Sequence, residues 1–139
     1  MLSIFKKKLF GDTSGTSEDI PPHVSAVICL MIEIARLDGK IDENEIEEIK
    51  SFYSDLYPDG NFSEVFNDLK DWTSHKESFN PFINIINSNC TKKMKIEILE
   101  NIWSVILSDD NIDPYEESLF MQIGDLLIIS KHELEKIKQ

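Results

Sequence analysis

Two acidic turns with the same spacing and similar apolar surroundings constrain this chain most strongly. The first turn lies in residues 37–45, and a degenerate copy lies in residues 108–116. Three acids of the first turn precede their counterparts by 71 residues, and apolar residues before, within and after the turns keep that offset. We therefore predict one helix–acidic turn–helix unit that is used twice. The equivalent acids are Asp38, Asp42 and Glu45 in the first turn and Asp109, Asp113 and Glu116 in the second.

Apolar residues recur at helical spacing on both sides of each turn. Val24, Ile28, Met31 and Ala35 are separated by four, three and four residues, which is the periodicity of one helix face. No stretch both alternates with period two and carries turn residues, as a strand would. We predict an all-α fold of about seven helices, with the two units packed as one compact bundle.

Several polar residues have the chemistry of helix N-caps. Asp42 with Glu45 three residues later predicts a reciprocal capping arrangement, and Ser130 with Glu133 predicts a second one. Ser63 and Thr91 are expected to cap two further helices. These signals predict where the helices begin.

Length and composition predict one folded domain with a basic N-terminal segment. A chain of 139 residues can bury a sufficient core without disulfides or metal. We expect residues 1–20 to be a flexible basic arm and linker, and residues 21–139 to be the folded domain. The arm carries three consecutive lysines between apolar residues, so residues 1–10 are either a peripheral membrane contact or a solvated terminus.

The charge and cysteine content exclude several classes of function. The chain has 26 acidic against 14 basic residues and a formal net charge of -12, which disfavours nucleic acid as a partner. Cys29 and Cys90 are isolated in the sequence, as expected for buried thiols in a reducing compartment. No apolar run reaches the roughly 20 residues of a membrane span. We therefore expect a cytoplasmic protein, with or without membrane association.

The first acidic turn matches only half of a calcium-binding EF-hand loop. Its second half has the acid, glycine and final glutamate of that loop, but the leading ligand positions would be Ile34 and Arg36. In the second turn they would be Val105 and Leu107. None of these side chains supplies the oxygen ligands that the loop requires there. The turns are therefore not EF-hands.

Helix capping accounts for some of the acids and leaves others to be explained. Asp42 and Asp113 stand where a helix N-cap is expected, and each cap is worth about 1 kcal/mol without any ligand. Asp38 and Asp109 instead follow a helix, where an acid is unfavourable by roughly 0.3 to 1 kcal/mol. Either the amides of the next helix or a bound cation compensates them. Oxygen donors alone favour calcium, magnesium or manganese.

The two turns and their flanks resemble the TerB tellurite-resistance family and the broader TerB-like proteins. The resemblance covers residues 22–138, and it implies an all-helical fold that binds metal through these acids. It also implies a role in stress-response complexes, often near membranes. Asp110 stands where the first turn has Gly39. The segments that carry the resemblance are residues 35–42 with Glu45, Trp103, residues 109–113 with Glu116, and residues 126–130.

Two functions remain open from the sequence, and neither is enzymatic. No local pattern pairs a nucleophile with a histidine, and no glycine-rich phosphate loop occurs. The first hypothesis is a divalent-cation-binding module in which the six equivalent acids supply ligands or hold the turns. The second is a metal-free acidic interaction domain or adaptor that recruits an unidentified protein partner.

Overall fold

The fold is known from a computed structural model that describes residues 20–36, 41–73, 80–108, 112 and 114–139. These residues form seven α-helices and no strand, which confirms the predicted all-α class. The predicted arm of residues 1–20 lies outside the described residues except for Ile20. The helices are α1 (Pro22–Ala35), α2 (Glu43–Leu56), α3 (Phe62–Thr73), α4 (Asn80–Asn89), α5 (Lys92–Leu107), α6 (Pro114–Leu126) and α7 (Lys131–Ile137).

Helix α1 lies at the centre of the bundle. Pro22 occupies its first turn, where a missing backbone N–H is tolerated. Ten of its 14 residues are buried, and it packs against α2, α3, α4 and α5. Each large apolar side chain that is buried in this way contributes roughly 1.5 to 3 kcal/mol. The burial of α1 therefore organises the first half of the chain around one helix.

Helix α5 is the central helix of the second half of the chain. It packs against α1, α2, α6 and α7, and eight of its 16 residues are buried. The ring of Trp103 lies against Phe120 of α6, with 4.9 Å between the ring centroids. The two helices that precede the acidic turns, α1 and α5, are thus core helices that contact each other. Both helices stay buried close to their C-terminal ends, at Ile34 and Ala35 in α1 and at Val105 and Ile106 in α5.

The helix starts confirm most of the predicted caps and correct one. Asp42 caps α2, and Thr91 caps α5 by accepting a hydrogen bond from Met94 N at 3.3 Å. The predicted cap Ser63 is wrong, because α3 begins at Phe62 and Ser63 already lies inside the helix. Asn61 Oδ1 instead accepts a hydrogen bond from Glu64 N at 3.2 Å. Both side chains can cap a helix, so composition alone does not choose between them.

The last cap, at Ser130, is present as predicted and carries further contacts. Ser130 Oγ accepts from Glu133 N at 3.2 Å, as an N-cap should. The hydroxyl also donates to Glu133 Oε1 at 3.0 Å, and Lys92 Nζ lies 3.0 Å from that same oxygen. The glutamate therefore ties the start of α7 to the start of α5.

Helices α6 and α7 approach closely because Gly124 has no side chain. A Cβ atom at this position would overlap the side chain of Leu134, which is buried in α7. Beyond Gly124 the chain reverses in a helix C-cap: Ile128 N donates to Asp125 O at 2.9 Å, and Ile129 N to Gly124 O at 3.0 Å. This pair of bonds is the Schellman arrangement. It places Ile128 at a φ of 66°.

We predict that Ile128→Asn stabilises the fold. A left-handed conformation costs an L-residue about 1 to 2 kcal/mol, and the branched Ile128 side chain is 77% exposed, so it gains little from packing. Asparagine tolerates this conformation, and we expect the free energy of unfolding in urea to rise by about 0.5 to 1 kcal/mol. Leu126→Asn is the control, because Leu126 is helical and partly exposed; it should give no gain. A less stable Ile128→Asn variant would contradict the prediction.

Candidate metal centre

The structure describes three of the six acids that the sequence predicts as metal ligands. Asp42 and Glu45 lie at the start of α2, and Glu116 lies in the first turn of α6. The other three predicted ligands lie outside the described residues: Asp38, Asp109 and Asp113. Half of the predicted ligand set can therefore be placed.

The first turn closes with the predicted reciprocal cap. Asp42 Oδ1 accepts a hydrogen bond from Glu45 N at 2.8 Å, and Glu45 Oε1 accepts one from Asp42 N at 3.0 Å. Glu45 is only 2% exposed, whereas Asp42 is half-buried. A carboxylate has about four acceptor positions, and the bond from Asp42 N uses one of Glu45's. The cap therefore fixes the Glu45 carboxylate inside the protein.

The second turn buries a glutamate at the equivalent helix position. Glu116 is the third residue of α6, as Glu45 is the third residue of α2, and it is 5% exposed. Its neighbours Ile112 and Tyr115 are exposed, at 43% and 79%. Glutamates are almost never fully buried unless something compensates their charge. Two buried carboxylates thus stand at matching places in the first turns of α2 and α6.

Arg36 carries the positive charge that immediately precedes the first turn. Its Nη2 atom donates to Lys70 O at 3.1 Å and to Thr73 Oγ1 at 3.0 Å, at the C-terminal end of α3. Its Nη1 atom lies 3.8 Å from Glu33 Oε1. A cation at a helix C-terminus satisfies carbonyl oxygens and complements the helix dipole. Arg36 therefore ties the beginning of the first turn to α3, a role that the sequence analysis did not assign.

Glu97 is a buried acid that no sequence pattern had singled out. It lies on α5 and is only 9% exposed. Its Oε2 atom is buried, and the described residues provide no hydrogen bond to it. Burial raises the pKa of this carboxyl, the charge of Glu100 raises it further, and Lys93 opposes both. Glu97 follows the buried Met94 by three residues, which places it on the buried face of α5. This spacing is the sequence signal that could have identified it.

The described part of the chain does not contain a complete metal site. No group of three or more histidine, cysteine, aspartate or glutamate side chains within it is arranged to hold an ion. A ligand set at the acidic turns therefore depends on Asp38, Asp109 or Asp113 in addition to the buried glutamates. The donors available from the two turns are carboxylate oxygens, which suit hard divalent ions.

Comparison with known proteins found one family. The family model described as tellurite resistance protein TerB matches residues 24–139, a range that includes both acidic turns and nearly all of the seven helices. No curated protein and no solved structure matches the chain at a significant level. Among the residues that the structure describes, no helix has the length and apolar content needed to span a membrane.

We predict that Asp42→Ala lowers the free energy of unfolding by about 1 kcal/mol, because the N–H of Glu45 loses its cap. Glu43→Ala is the matched control, since Glu43 is an exposed acid in the same first turn. It should cost less, about 0.3 to 0.5 kcal/mol from the helix dipole. Urea unfolding in a chelating buffer measures both variants. Equal losses would argue against a structural role for the Asp42 side chain.

We predict that Glu97→Gln stabilises the protein at pH 7 more than at pH 4. Burial raises the pKa of Glu97 in the folded state above its ordinary value. The wild type therefore loses stability as the pH rises from the unfolded-state pKa through the folded-state pKa. Glutamine carries no charge, so the advantage of the variant should shrink as the pH falls. Urea midpoints between pH 4 and 7 test this, and Glu100→Gln, at a partly exposed position on the same helix, is the control.

Proposed function

We propose that this chain, which belongs to the TerB tellurite-resistance family, binds a divalent cation at its two acidic turns. One observation carries the proposal: Glu45 and Glu116 are buried at the same position of two helices that each follow an acidic turn. The family match extends across both turns. The resemblance first inferred from the motifs is confirmed at the level of the family.

The chemistry of the turns supports a hard cation. Asp38 and Asp109 precede the two buried glutamates by seven residues in the sequence. Carboxylates held at close range repel each other unless they are protonated, separated or bridged by a cation. Calcium, magnesium and manganese accept all-oxygen ligand sets, so they are the ions proposed here.

The described residues have distinct roles in this proposal. Glu45 and Glu116 supply buried carboxylates, and Asp42 holds the first turn in shape through its cap. Arg36 fixes the end of α1 against α3. Asp38, Asp109 and Asp113 would complete the ligand set. The bound ion would neutralise the turns and stabilise one arrangement of the helices that leave them.

The same proposal gives the protein a non-enzymatic role. A module that changes stability on binding an ion is suited to a stress-response or membrane-associated complex, as the family resemblance implies. A net charge of -12 suits a cation or a basic protein partner. Residues 1–10, which lie outside the described residues, are proposed as a peripheral membrane contact on their lysine content.

A metal-free interaction domain is the second candidate function, and the Asp42–Glu45 cap favours it. Both hydrogen bonds of that cap are made between Asp42 and Glu45 themselves, so the acids of the first turn have a structural use of their own. In this alternative the acidic surface recruits a protein partner and the turns only shape the helix ends.

We predict that calcium, magnesium or manganese binds chelator-treated protein and raises its melting temperature. An ion that binds the folded state alone stabilises it by about 2.7 kcal/mol at a hundredfold excess over Kd. Titration calorimetry and thermal unfolding measure the binding and the shift. Absence of both at millimolar ion would contradict the cation proposal and leave the interaction domain.

Two sets of variants separate the functions. Glu45→Gln keeps the capping box, because glutamine also accepts the return hydrogen bond, but it removes the charge. It should melt like the wild type in chelator and lose the ion-dependent shift, while the exposed control Glu43→Gln keeps that shift. Replacing Asp38 and Asp109 with asparagine should abolish the shift as well. A gain in stability that is independent of ions would instead support the metal-free domain.

A further inference from the structure

A groove of about 450 Å³ lies between α6 and α7, and its lining on α6 begins at Glu117. Its apolar lining consists of Met121, Ile129 and Leu134. Ile129 and Leu134 are nearly fully buried, whereas Met121 is half-buried and is the apolar residue most open to solvent. Methionine is flexible and polarisable, so it adapts to the shape of an incoming apolar side chain.

The charged rim of the groove is acidic on balance. Glu117, Asp125 and Glu135 line it together with Lys131 and Lys138. Lys138 Nζ lies 2.7 Å from Glu117 Oε1 and 3.4 Å from Glu135 Oε1, so its charge is already balanced within the rim. The hydrogen bond from Lys138 to Glu117 raises the lysine pKa and keeps it charged. Three carboxylates against two lysines leave the rim one negative charge in excess.

Ile128 is an exposed apolar residue that directly precedes the lining residue Ile129 in the sequence. It stands between the lining residues Asp125 and Ile129, and its N–H donates to Asp125 O at 2.9 Å. Its side chain is 77% exposed although its φ is 66°. A branched residue in this conformation weakens the fold and gains little from packing, and such strain often accompanies function. An apolar contact with another molecule would bury the Ile128 side chain.

We propose that this groove, together with Ile128, binds a basic amphipathic helix of a partner protein. The apolar face of such a helix would pack on Met121 and Ile128, and its lysine or arginine side chains would meet the carboxylates of the rim. Glu117, Met121 and Asp125 follow one another at four-residue intervals, so the lined stretch of α6 is about 12 Å long. That length fits about two turns of a partner helix. The excess of acids on the rim and on the chain as a whole selects a basic partner over an acidic one.

The test uses the full chain with its methionine methyl groups labelled with carbon-13 and observed by NMR. The probe is a synthetic helical peptide with leucines on one face and lysines on the other, and its counterpart has glutamates in place of the lysines. The Met121 methyl resonance should shift and saturate with the lysine peptide. Met31 and Met94 are buried in α1 and α5, so they serve as internal references that stay in place. Added salt should weaken the binding.

Charge-matched variants show whether the groove itself binds the peptide. Asp125→Asn with Glu135→Gln removes two rim charges, and Glu43→Gln with Glu47→Gln removes two from exposed positions on α2. The rim pair should weaken peptide binding by roughly three- to tenfold, because each exposed charge pair contributes modestly. The α2 pair should leave the affinity unchanged. Equal effects of the two pairs would show attraction to the overall charge alone and would overturn the proposal.

The variant Ile128→Asn distinguishes an effect on binding from an effect on stability, because we expect it to raise the stability and to lower the affinity for the peptide. The variant should melt at a higher temperature and yet bind the lysine peptide several-fold more weakly. Unchanged affinity would exclude Ile128 from the surface. Equal binding of the glutamate peptide, or a Met121 resonance that moves with protein concentration in the absence of peptide, would replace the proposed partner with a non-basic ligand or a second copy.

Discussion

The burial of α1 among four other helices is the contact on which the rest of the fold depends. Nearly all of its apolar side chains are withdrawn from water, and this supplies the largest favourable term available to a chain without disulfides. Helix α1 also precedes the first acidic turn, and Arg36 fixes its end to the last turn of α3. The start of that turn is therefore held by the core rather than by the acids themselves.

The second acidic turn also follows a core helix, and each turn leads into a helix with a buried glutamate. Helix α5 packs on α1 and, through Trp103 and Phe120, on α6. Glu45 and Glu116 then enter the interior in the first turn of the next helix in each half. The hydrophobic core thus forces two carboxylates into places where their charge must be compensated. A cation is one way to do this, and helix N-terminal amides are another.

Interactions between residues close in the sequence made much of the fold predictable. The features that were not predicted depend on contacts between residues far apart in the sequence. The periodicity of α1 and the caps Asp42 and Thr91 depend on residues within four positions, so the sequence contains them. Arg36 was missed because its partners are 34 and 37 residues away. Trp103 is buried in α5, whereas Trp72, in the apolar pattern of α3, is 41% exposed. Two of the six predicted ligands, Glu45 and Glu116, are buried. Their burial depends on how the helices pack, so the sequence pattern alone did not reveal it.

The close approach at Gly124 also bears on how the molecule opens. Helix α7 has only seven residues and a single fully buried side chain, Leu134, which rests over that glycine. Small elements with few buried contacts open locally at a lower free energy than the core. The C-terminal helix and the end of α6 therefore form a unit whose amide hydrogens should exchange before those of α1 and α5. The molecule combines a rigid centre with an edge that can rearrange without global unfolding.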